Sequence, residues 1–348
     1  MMKVIQSLRI LLLPFSLLYW VLISIKNQLY TGNSLKKIFK IESYKSEVPI
    51  ICVGNIRVGG TGKSQIVLTL AQELIKRNQK IAILSRGYKR KSKVFFEVDS
   101  LDVEKFGDEP VLLKMNLENA SVFVSEDRKL AIQYINRTHQ FDFIVMDDGL
   151  QNLSVQKDFS IVVLDNNFYS KNIFENLLLP AGNLREPKSK IFNYDCLIFN
   201  KKFEDGELKK PSHKNFFEAK YKLKKFIDLD GQEIEIKELQ KQNSGAFCGI
   251  AQPLTFEKLL SKNSIFLRFF KVFPDHHSYQ IQDLKLLLKF VQKFGSKYLI
   301  TTEKDIVRLI KFKNEFERAE VFLVFAKITA EINNEEKLIQ NILCQKRK

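Results

Sequence analysis

The chain has 348 residues, 45% of them hydrophobic, with 56 lysine and arginine residues against 40 acidic ones and a formal net charge of +16. This composition excludes a disordered chain, and the length suggests two domains. The positive charge is compatible with nucleic acid, an anionic membrane or a phosphorylated substrate as partner, and equally with scattered surface lysines.

The cysteine and histidine residues show no spacing typical of zinc ligands, and no two cysteines form a C-x-x-C pair. We therefore expect buried free thiols in a reducing compartment.

The amino-terminal segment is strongly apolar. Residues 10–25 read ILLLPFSLLYWVLISI, a run without charge that basic residues flank on both sides. As a helix this run would be about 24 Å long, whereas the hydrocarbon core of a bilayer is about 30 Å thick. No small-residue cleavage site of a signal peptide is evident, and a buried core helix is an alternative. We predict that residues 1–30 form a membrane-associated helix, which either spans the bilayer or lies at its interface.

From residue 48 onward, short apolar strands alternate with helical stretches. The segment 63–77 has helical periodicity through Ile66, Leu70 and Leu74. Strands separated by helices predict a parallel sheet with helices on both faces, the α/β class. The predicted strands of this part are PIICVG, KIAILSRG, ASVFVS, FDFIVMDDG, FSIVVLDN and DCLIFN.

The glycine-rich stretch VGNIRVGGTGKSQIVL, residues 53–68, follows the first strand and opens a helix. Backbone N–H groups at such a helix start form an anion site, and glycines let a phosphate approach the backbone. Lys63 would reach the β- and γ-phosphates of a nucleotide, and Ser64 would ligate Mg²⁺. The usual spacing G-x-x-x-x-G-K-[ST] has glycine where this chain has Arg57, so a plain glycine-rich turn is the alternative. The predicted nucleotide-binding residues are Arg57, Val58, Gly59, Gly60, Thr61, Gly62, Lys63 and Ser64.

A later apolar strand, FIVMDDG, ends in the two carboxylates Asp147 and Asp148. In phosphate-loop enzymes a carboxylate at such a strand end holds Mg²⁺. The second carboxylate is expected to meet the substrate or a helix terminus. Since DDG alone is also an ordinary turn, its combination with the phosphate loop is what favours a magnesium site.

The charged segment KKFEDGELKKPSHKN, residues 201–215, has no apolar period and predicts a domain boundary. Two strands, NFFEAKYKLKKFIDL and QEIEIKEL, are expected to follow as a paired connector. We therefore predict a phosphate-loop domain over 31–215, a two-stranded connector over 216–240 and a smaller α/β domain over 241–348.

Eight motifs, in order, resemble the tetraacyldisaccharide 4'-kinase family, the lipid A 4'-kinases of Gram-negative bacteria. The resemblance runs from the apolar amino-terminal helix nearly to the end of the chain. It also accounts for Arg57, because the family's loop has the form G-N-x-x-x-G-G-x-G-K-[ST]. Gln65 departs from the family, where proline is common at this position. The motifs are VGNIRVGGTGKS, SRGY, GDEP, DDGLQ, LPAGNLREP, FCGIAQP, FPDHHSY and TTEKD.

The resemblance implies a kinase that uses ATP and Mg²⁺ to phosphorylate the 4'-hydroxyl of a tetraacyldisaccharide 1-phosphate in lipid A biosynthesis. It also implies a phosphate-loop NTPase domain, a smaller α/β domain and a two-stranded connector. Moving a lipid with four acyl chains out of a bilayer costs roughly 0.8 kcal/mol per CH₂. We therefore expect the enzyme to lie on an anionic membrane surface. The requirement for ATP implies the cytoplasmic face of the inner membrane, and we expect a monomer.

The family is thought to use an aspartate–histidine pair as its proton acceptor. The matching residues here are Asp108 of GDEP and His276 of DHH. A nearby histidine can orient the carboxylate and share the proton. We expect domain closure to join the two residues, since they lie in different predicted domains. The alternatives are a helix cap at Asp108, and a polar turn or metal pair at His276 and His277.

Further charged residues match the family or lie at the predicted site. Glu186 of LREP resembles a carboxylate near the metal, so the predicted metal ligands are Ser64, Asp147, Asp148 and Glu186. Arg86 and Arg185 are expected to meet substrate phosphate, although a solvated basic loop is the alternative for Arg86. The same loop carries Lys89, Arg90 and Lys91. For TTEKD the sequence indicates no role.

Two other functions are compatible with parts of the sequence. A phosphate-loop NTPase or ligase would hydrolyse ATP without phosphorylating a glycolipid. A basic, membrane-anchored module would bind nucleic acid in a salt-dependent manner. Aromatic signatures of nucleic-acid-binding modules are absent, so we expect no nucleic-acid partner.

Overall fold

The computed structural model describes residues 9–31, 42–88, 90–138, 140–204 and 211–347. Lys89, the first eight residues of the predicted membrane helix and part of the predicted boundary at 201–215 lie outside the described residues. The helices are α1 (Leu13–Thr31), α2 (Lys63–Lys76), α3 (Val103–Phe106), α4 (Asp108–Asn116), α5 (Arg128–Thr138), α6 (Ile173–Asn176), α7 (Ile236–Gln240), α8 (Pro253–Lys262), α9 (Ile281–Phe294), α10 (Glu303–Leu309), α11 (Lys313–Arg318) and α12 (Glu335–Leu343). The strands are β1 (Ile50–Gly54), β2 (Ile81–Ser85), β3 (Phe96–Glu97), β4 (Ala120–Val124), β5 (Phe143–Asp147), β6 (Phe159–Asp165), β7 (Cys196–Lys202), β8 (Phe216–Asp228), β9 (Glu233–Ile234), β10 (Ser244–Cys248), β11 (Leu267–Val272), β12 (Tyr298–Thr302) and β13 (Phe322–Ile332).

The strands of the described residues form one sheet in the order β11-β10-β12-β13-β8-β7-β6-β1-β5-β2-β4-β3, with β9 paired to β8. Strand β1 is parallel to both of its neighbours, with Ile51 opposite Val145 of β5 and Phe159 of β6. Strands β10, β11, β12 and β13 are likewise parallel to one another. The predicted α/β class with a mostly parallel sheet is confirmed.

Apolar side chains cover both faces of the central strands, as buried parallel strands require. Ile51 of β1 belongs to a core cluster that includes Leu70 of α2. The preceding residue, Ile50, belongs to a second cluster that includes Ile132 of α5. Because successive residues of a strand face opposite sides of the sheet, helices pack on both faces, as predicted.

The link between the two parts of the sheet differs from the predicted connector. Residues 219–228 of β8 pair antiparallel with the distant strand β13. The segment QEIEIKEL contributes only the two residues of β9 to pairing with β8, and its second half forms α7. The prediction of a full second strand there is therefore wrong, because residues 236–240 turn into a helix after the two residues of β9, and the long partner of β8 on its other edge is β13. The domain limits stay predictions, since one sheet runs through both parts.

Helix α1 exposes apolar side chains and is anchored by polar ones. Leu17 is 63% exposed. The Ser16 hydroxyl donates to the Leu178 carbonyl oxygen at 2.9 Å, and the Tyr19 hydroxyl donates to the Arg185 carbonyl oxygen at 3.2 Å. Within the described ranges, no helix combines the length and the apolar character that crossing a membrane requires. Of the two predicted arrangements of this helix, the spanning one is therefore unsupported.

Candidate active site

The glycine-rich loop runs from the end of β1 to the start of α2 and contains two residues in the left-handed region. Gly59 has a φ of +101° and Gly62 a φ of +87°, values that residues with a side chain rarely adopt. A Cβ atom at Gly62 would lie 2.0 Å from the Tyr221 hydroxyl oxygen and 2.2 Å from Asn200 Nδ2. Both the backbone angle and the close approach of the two side chains therefore require glycine at position 62.

Side chains from β7 and β8 engage the carbonyl oxygens of this loop. Asn200 Nδ2 donates to the Thr61 carbonyl oxygen at 3.0 Å, and Lys202 Nζ donates to the Gly60 carbonyl oxygen at 2.8 Å. The Tyr221 hydroxyl donates to a third carbonyl of the loop at 3.2 Å. None of these three donors was predicted as a site residue. The available signal was the position of FNKK at the carboxyl end of a predicted strand, the edge at which α/β sheets bind ligands.

Arg57 is buried and paired with two carboxylates. Its guanidinium lies 3.4 Å from Asp165 Oδ1 and also contacts Glu175. A buried charge needs such partners, so this side chain is committed to the fold. Residues 59–64 of the loop line the cavity described below. The backbone of Arg57 forms an antiparallel bridge with Leu184 just before this part of the loop.

Asp148 lies between two cations at the end of β5. Its Oδ1 is 3.5 Å from Lys63 Nζ, and its Oδ2 accepts a hydrogen bond from Arg185 Nη1 at 2.9 Å. Burial alone would raise the pKa of the Asp148 carboxyl, but the charges of Lys63 and Arg185 outweigh it and hold the pKa below its usual range. The structure thus brings together three predicted site residues: Lys63, Asp148 and Arg185.

Asp147 is 1% exposed, and its Oδ1 has no hydrogen-bond partner among the described residues. Burial raises the pKa of Asp147 well above its usual range, and the neighbouring charges of Glu109 and Asp148 add to this effect, whereas Lys63 and Arg128 oppose it. A buried carboxylate oxygen without a partner is costly unless a cation compensates it. Arg128, which donates to the Asp147 carbonyl oxygen at 3.0 Å, was not predicted.

Glu186 lies beside the phosphate loop but is engaged by a tyrosine. The Arg185 amide donates to the Ile56 carbonyl oxygen at 2.7 Å, which brings the LREP segment against the loop. The buried Glu186 carboxylate accepts from the Tyr194 hydroxyl, and burial together with this carboxylate raises the pKa of Tyr194. In the part of the chain that the structure describes, no three His, Cys, Asp or Glu side chains form a group that could hold a metal ion. Side chains of the protein alone therefore do not assemble the predicted set of metal ligands.

Asp108 and His276 are already in contact. Asp108 stands in the first turn of α4, and its Oδ2 lies 2.9 Å from His276 Nδ1. Burial would raise the pKa of the Asp108 carboxyl, but the hydrogen bond from His276 and the charges of Arg308 and Lys304 hold the pKa below its usual range. The predicted aspartate–histidine pair thus forms in this conformation. The domain closure expected from the sequence is not needed to join it.

The TTEKD motif builds the support of this pair. Asp305 is fully buried, and its carboxylate accepts from the Tyr279 hydroxyl at 2.8 Å and from the Gly249 amide at 3.0 Å. The Gly249 carbonyl oxygen in turn accepts from the His276 amide at 3.1 Å. Lys304 faces the pair itself, with Nζ 3.2 Å from His276 Nε2. The motif, which had no role in the sequence, therefore fixes the backbone and one side of His276.

The second histidine of DHH serves the fold. His277 Nε2 lies 2.9 Å from Asp283 Oδ2, and its ring stacks on that of Phe273 with centroids 4.9 Å apart. Asp283 belongs to the capping box at the start of α9. The two adjacent histidines therefore face different partners, which argues against a metal pair.

In the basic loop after β2, Arg90 and Lys91 contact other protein groups, and Arg86 is left accessible to a substrate phosphate. Arg90 donates to the Val94 carbonyl oxygen of its own loop at 2.7 Å, and Lys91 pairs with Glu104. Arg86, the residue expected to meet substrate phosphate, is exposed at the carboxyl end of the strand. The structure therefore leaves Arg86 accessible, whereas Arg90 and Lys91 stabilise the loop.

A cavity of about 560 Å³ joins these groups. The phosphate loop lines this cavity, and so do Glu109, His276 and Lys304. The cavity extends over apolar side chains from the carboxyl-terminal part of the sheet, among them Ile250 and Phe256. It lies between the two parts of the chain, so a ligand that fills it contacts both.

The cavity is lined by an anion-binding loop with Lys63 and by His276, whose Nδ1 contacts the Asp108 carboxylate. Phosphoryl transfer needs groups that hold and neutralise the phosphates and a group that accepts the proton of the attacking hydroxyl. The fold and the site therefore define a phosphotransferase of the phosphate-loop class.

Comparisons with known proteins identify the family. Residues 8–347 match the family model of tetraacyldisaccharide-1-P 4'-kinase, and the chain belongs to this family. It is 36% identical over 324 residues to the tetraacyldisaccharide 4'-kinase of Aquifex aeolicus, and this alignment covers 89% of this chain and 92% of the Aquifex protein. It is 33% identical over 335 residues to the Haemophilus influenzae enzyme, covering 95% of this chain and 91% of that one.

A solved structure agrees with this assignment. The crystal structure of LpxK from Aquifex aeolicus in complex with ATP matches with a TM-score of 0.79 at 32% sequence identity, over 97% of this chain and 99% of that one. The predicted resemblance to the 4'-kinase family, and with it the kinase activity, is confirmed.

Proposed function

We propose that the protein transfers the γ-phosphate of ATP to the 4'-hydroxyl of a tetraacyldisaccharide 1-phosphate, a step of lipid A biosynthesis. The observation that carries this proposal is the contact of Asp108 with His276, 2.9 Å between Oδ2 and Nδ1, because His276 lines the same cavity as the phosphate loop. The family to which the chain belongs favours transfer to a sugar hydroxyl over hydrolysis by water.

The residues of the chain divide the work of phosphoryl transfer. The loop amides and Lys63 hold the phosphates and neutralise their charge. Asp108 accepts the proton of the 4'-hydroxyl. At the same time, the oxygen of this hydroxyl forms a bond to the γ-phosphorus, and the bond between that phosphorus and the bridging oxygen of ADP breaks. His276 orients the carboxylate through its Nδ1–H. The low pKa of Asp108 keeps it ionised before the reaction and makes it release the proton afterwards.

Mg²⁺ fits the carboxylates at the end of β5. The buried Oδ1 of Asp147 has no hydrogen-bond partner among the described residues, so a bound cation would compensate it, and oxygen atoms are the ligands that Mg²⁺ prefers. Asp147 and Ser64 would hold the ion together with phosphate oxygens and waters, since Asp148 is paired with Lys63 and Arg185. When bound, the ion would neutralise charge on the β- and γ-phosphates.

The lipid substrate places the enzyme at a membrane surface. The acyl chains stay in the bilayer, since their removal costs roughly 0.8 kcal/mol per CH₂. The exposed apolar side chains of α1 suit a helix that lies at the interface, and its attachment to Leu178 and Arg185 keeps the site close to that surface. The need for ATP favours the cytoplasmic face of the inner membrane, and we propose a monomer there.

The decisive experiment is incubation of the full chain with γ-labelled ATP, Mg²⁺ and a tetraacyldisaccharide 1-phosphate, followed by lipid extraction. We expect label in the lipid fraction, and a loss of about two orders of magnitude or more in Asp108→Asn, which keeps the shape but not the basic carboxylate. ATP hydrolysis without label in the lipid would contradict the proposed function.

A further inference from the structure

Lys304 occupies the side of His276 that faces away from Asp108. Its Nζ lies 3.2 Å from His276 Nε2 and 3.5 Å from Glu109 Oε1. The lysine comes from the first turn of α10, whose start is capped by the Thr302 hydroxyl. Both nitrogens of the His276 ring therefore have a charged partner, the Asp108 carboxylate on one side and an ammonium on the other.

The chemistry of these partners defines the proton positions. An ammonium group has three donors and no acceptor, so a hydrogen bond from Lys304 requires that His276 Nε2 carries no proton. The one proton of the neutral ring then lies on Nδ1 and is donated to Asp108 Oδ2, 2.9 Å away. A second proton on Nε2 would bring two positive charges to hydrogen-bond distance.

We propose that Lys304 is a positioning residue that keeps the His276 ring neutral with its proton on Nδ1, so that Asp108 remains the proton acceptor of the reaction. This inference rests on the proposed function of the Asp108–His276 pair. In this proposal, Lys304 affects the reaction through its contact with His276 and not by binding the phosphates of ATP.

The other charged groups around the ring make this role necessary. Asp108 and Asp275, whose Oδ2 lies 4.0 Å from His276 Nε2, both favour a second proton on the ring. Arg308 lies 3.4 Å from the Asp108 carboxylate and weakens its effect on the ring. Tyr88 meets the ring edge-on, with centroids 5.8 Å apart, and brings no charge in its neutral form. Among the described residues, Lys304 is thus the cation in contact with the ring.

Hydrogen bonds through Gly249 join the segments that carry His276 and Lys304. Asp305, next to Lys304, accepts from the Gly249 amide at 3.0 Å, and the Gly249 carbonyl oxygen accepts from the His276 amide at 3.1 Å. The backbone that carries the ring and the helix that carries the ammonium are therefore joined through two hydrogen bonds. Glu109 supplies the opposite charge that keeps Lys304 at this place.

The first test compares Lys304→Met, Lys304→Arg and wild type in the lipid-labelling assay over a range of pH. In Lys304→Met, we expect the acid limb of the profile of kcat against pH to move upward by about one unit, with KM for ATP within about two-fold of wild type. Lys304→Arg keeps a charged donor and should restore most of the wild-type profile. Lys313→Met, which removes an exposed lysine paired with Asp230, is the matched control and should change neither.

Two results of this test would overturn the inference. A large rise of KM for ATP with an unshifted pH profile would make Lys304 a phosphate ligand. A Lys304→Met profile that superimposes on that of wild type would show that the contact has no consequence for the histidine.

The second test needs no variant of Lys304 and no activity. The full chain is labelled with ¹⁵N-histidine, and the signal of His276 is identified as the one lost in His276→Gln. At neutral pH, we expect the ring signals of a neutral imidazole with the proton on Nδ1. A proton on Nε2, alone or in addition, would contradict the inference even if the kinase assay succeeds, whereas failure of that assay alone would contradict the proposed function.

Discussion

Charged side chains at this site form ion pairs, and the pairing of Lys63 with Asp148 bears on how this lysine binds a nucleotide. Its ammonium lies 3.5 Å from Asp148, which also pairs with Arg185. A nucleotide phosphate brings a higher negative charge to the same ammonium, so binding exchanges one partner of Lys63 for another. Because Arg185 also pairs with Asp148, the carboxylate would keep a positive partner when Lys63 turns to a phosphate.

Lys63→Met should therefore weaken ATP binding and slow turnover together. Loss of a charge-assisted hydrogen bond costs about 1.5–3 kcal/mol, so we expect the Kd for ATP to rise by roughly ten- to hundred-fold. Calorimetric titration with a non-hydrolysable ATP analogue measures this change. Lys76→Met, at the exposed end of the same helix, is the control and should bind as wild type does. Unchanged affinity in Lys63→Met would remove this lysine from the phosphate site.

The residues of the site were predictable to the extent that they lie close together in sequence. Residues 59–64 follow from the spacing of glycines and lysine, and Asp147 from its place at the end of an apolar strand. Asp108 and His276 are 168 positions apart, and only the family resemblance paired them. Lys304 and Asn200 were missed, because the carboxyl end of a strand marks the ligand-binding edge of the sheet but does not show which polar residue there contacts the site.

Whole elements are less well defined by local pattern than the phosphate loop. The strand β8 was expected to pair with the segment that follows it, but its main partner is β13, about one hundred residues later. A local pattern of apolar and charged residues can predict that a segment is a strand. It does not predict the strand with which that segment pairs, because tertiary packing selects the partner. For the same reason QEIEIKEL read as a strand, although half of it forms a helix.

The role of helix α1 is suggested by its exposed apolar side chains and not by the contacts that it makes with the rest of the protein. Its apolar side chains are exposed while its polar ones anchor it, the reverse of a helix that packs into a core. Exposed apolar surface of this kind marks a contact with a membrane or another molecule.

We expect Leu17→Glu and Leu22→Glu, at positions 63% and 57% exposed, each to weaken binding of the full chain to vesicles of anionic phospholipid by roughly ten-fold. Each change replaces a side chain that enters the interface with a charge that does not. Sedimentation with the vesicles measures the bound fraction. Leu130→Glu, on α5 and 50% exposed, is the control for added negative charge. If all three variants bind equally well, the membrane contact lies elsewhere.

At the scale of the whole molecule, one sheet and one cavity unite the parts that the sequence separated. The cluster that contains Ile51, beside the phosphate loop, also contains Leu299 of β12 and Ile342 of α12. The active site has its anion-binding wall in one part and His276 in the other. The pairing of β8 with β13 joins the part that carries the phosphate loop and Asp108 to the part that carries His276.

A continuous core of this kind predicts that the two parts unfold together. Leu299 is fully buried, so Leu299→Ala should lower the free energy of unfolding by about 2–5 kcal/mol. We expect a single transition in urea, shifted to lower concentration, in which circular dichroism and binding of a fluorescent ATP analogue are lost at the same midpoint. Phe266→Ala, at an 80% exposed position of the same part, should shift the midpoint little. A first transition that leaves nucleotide binding intact would show that the carboxyl-terminal part unfolds by itself. The Asp108–His276 contact would then depend on a docking equilibrium and not on the fold alone.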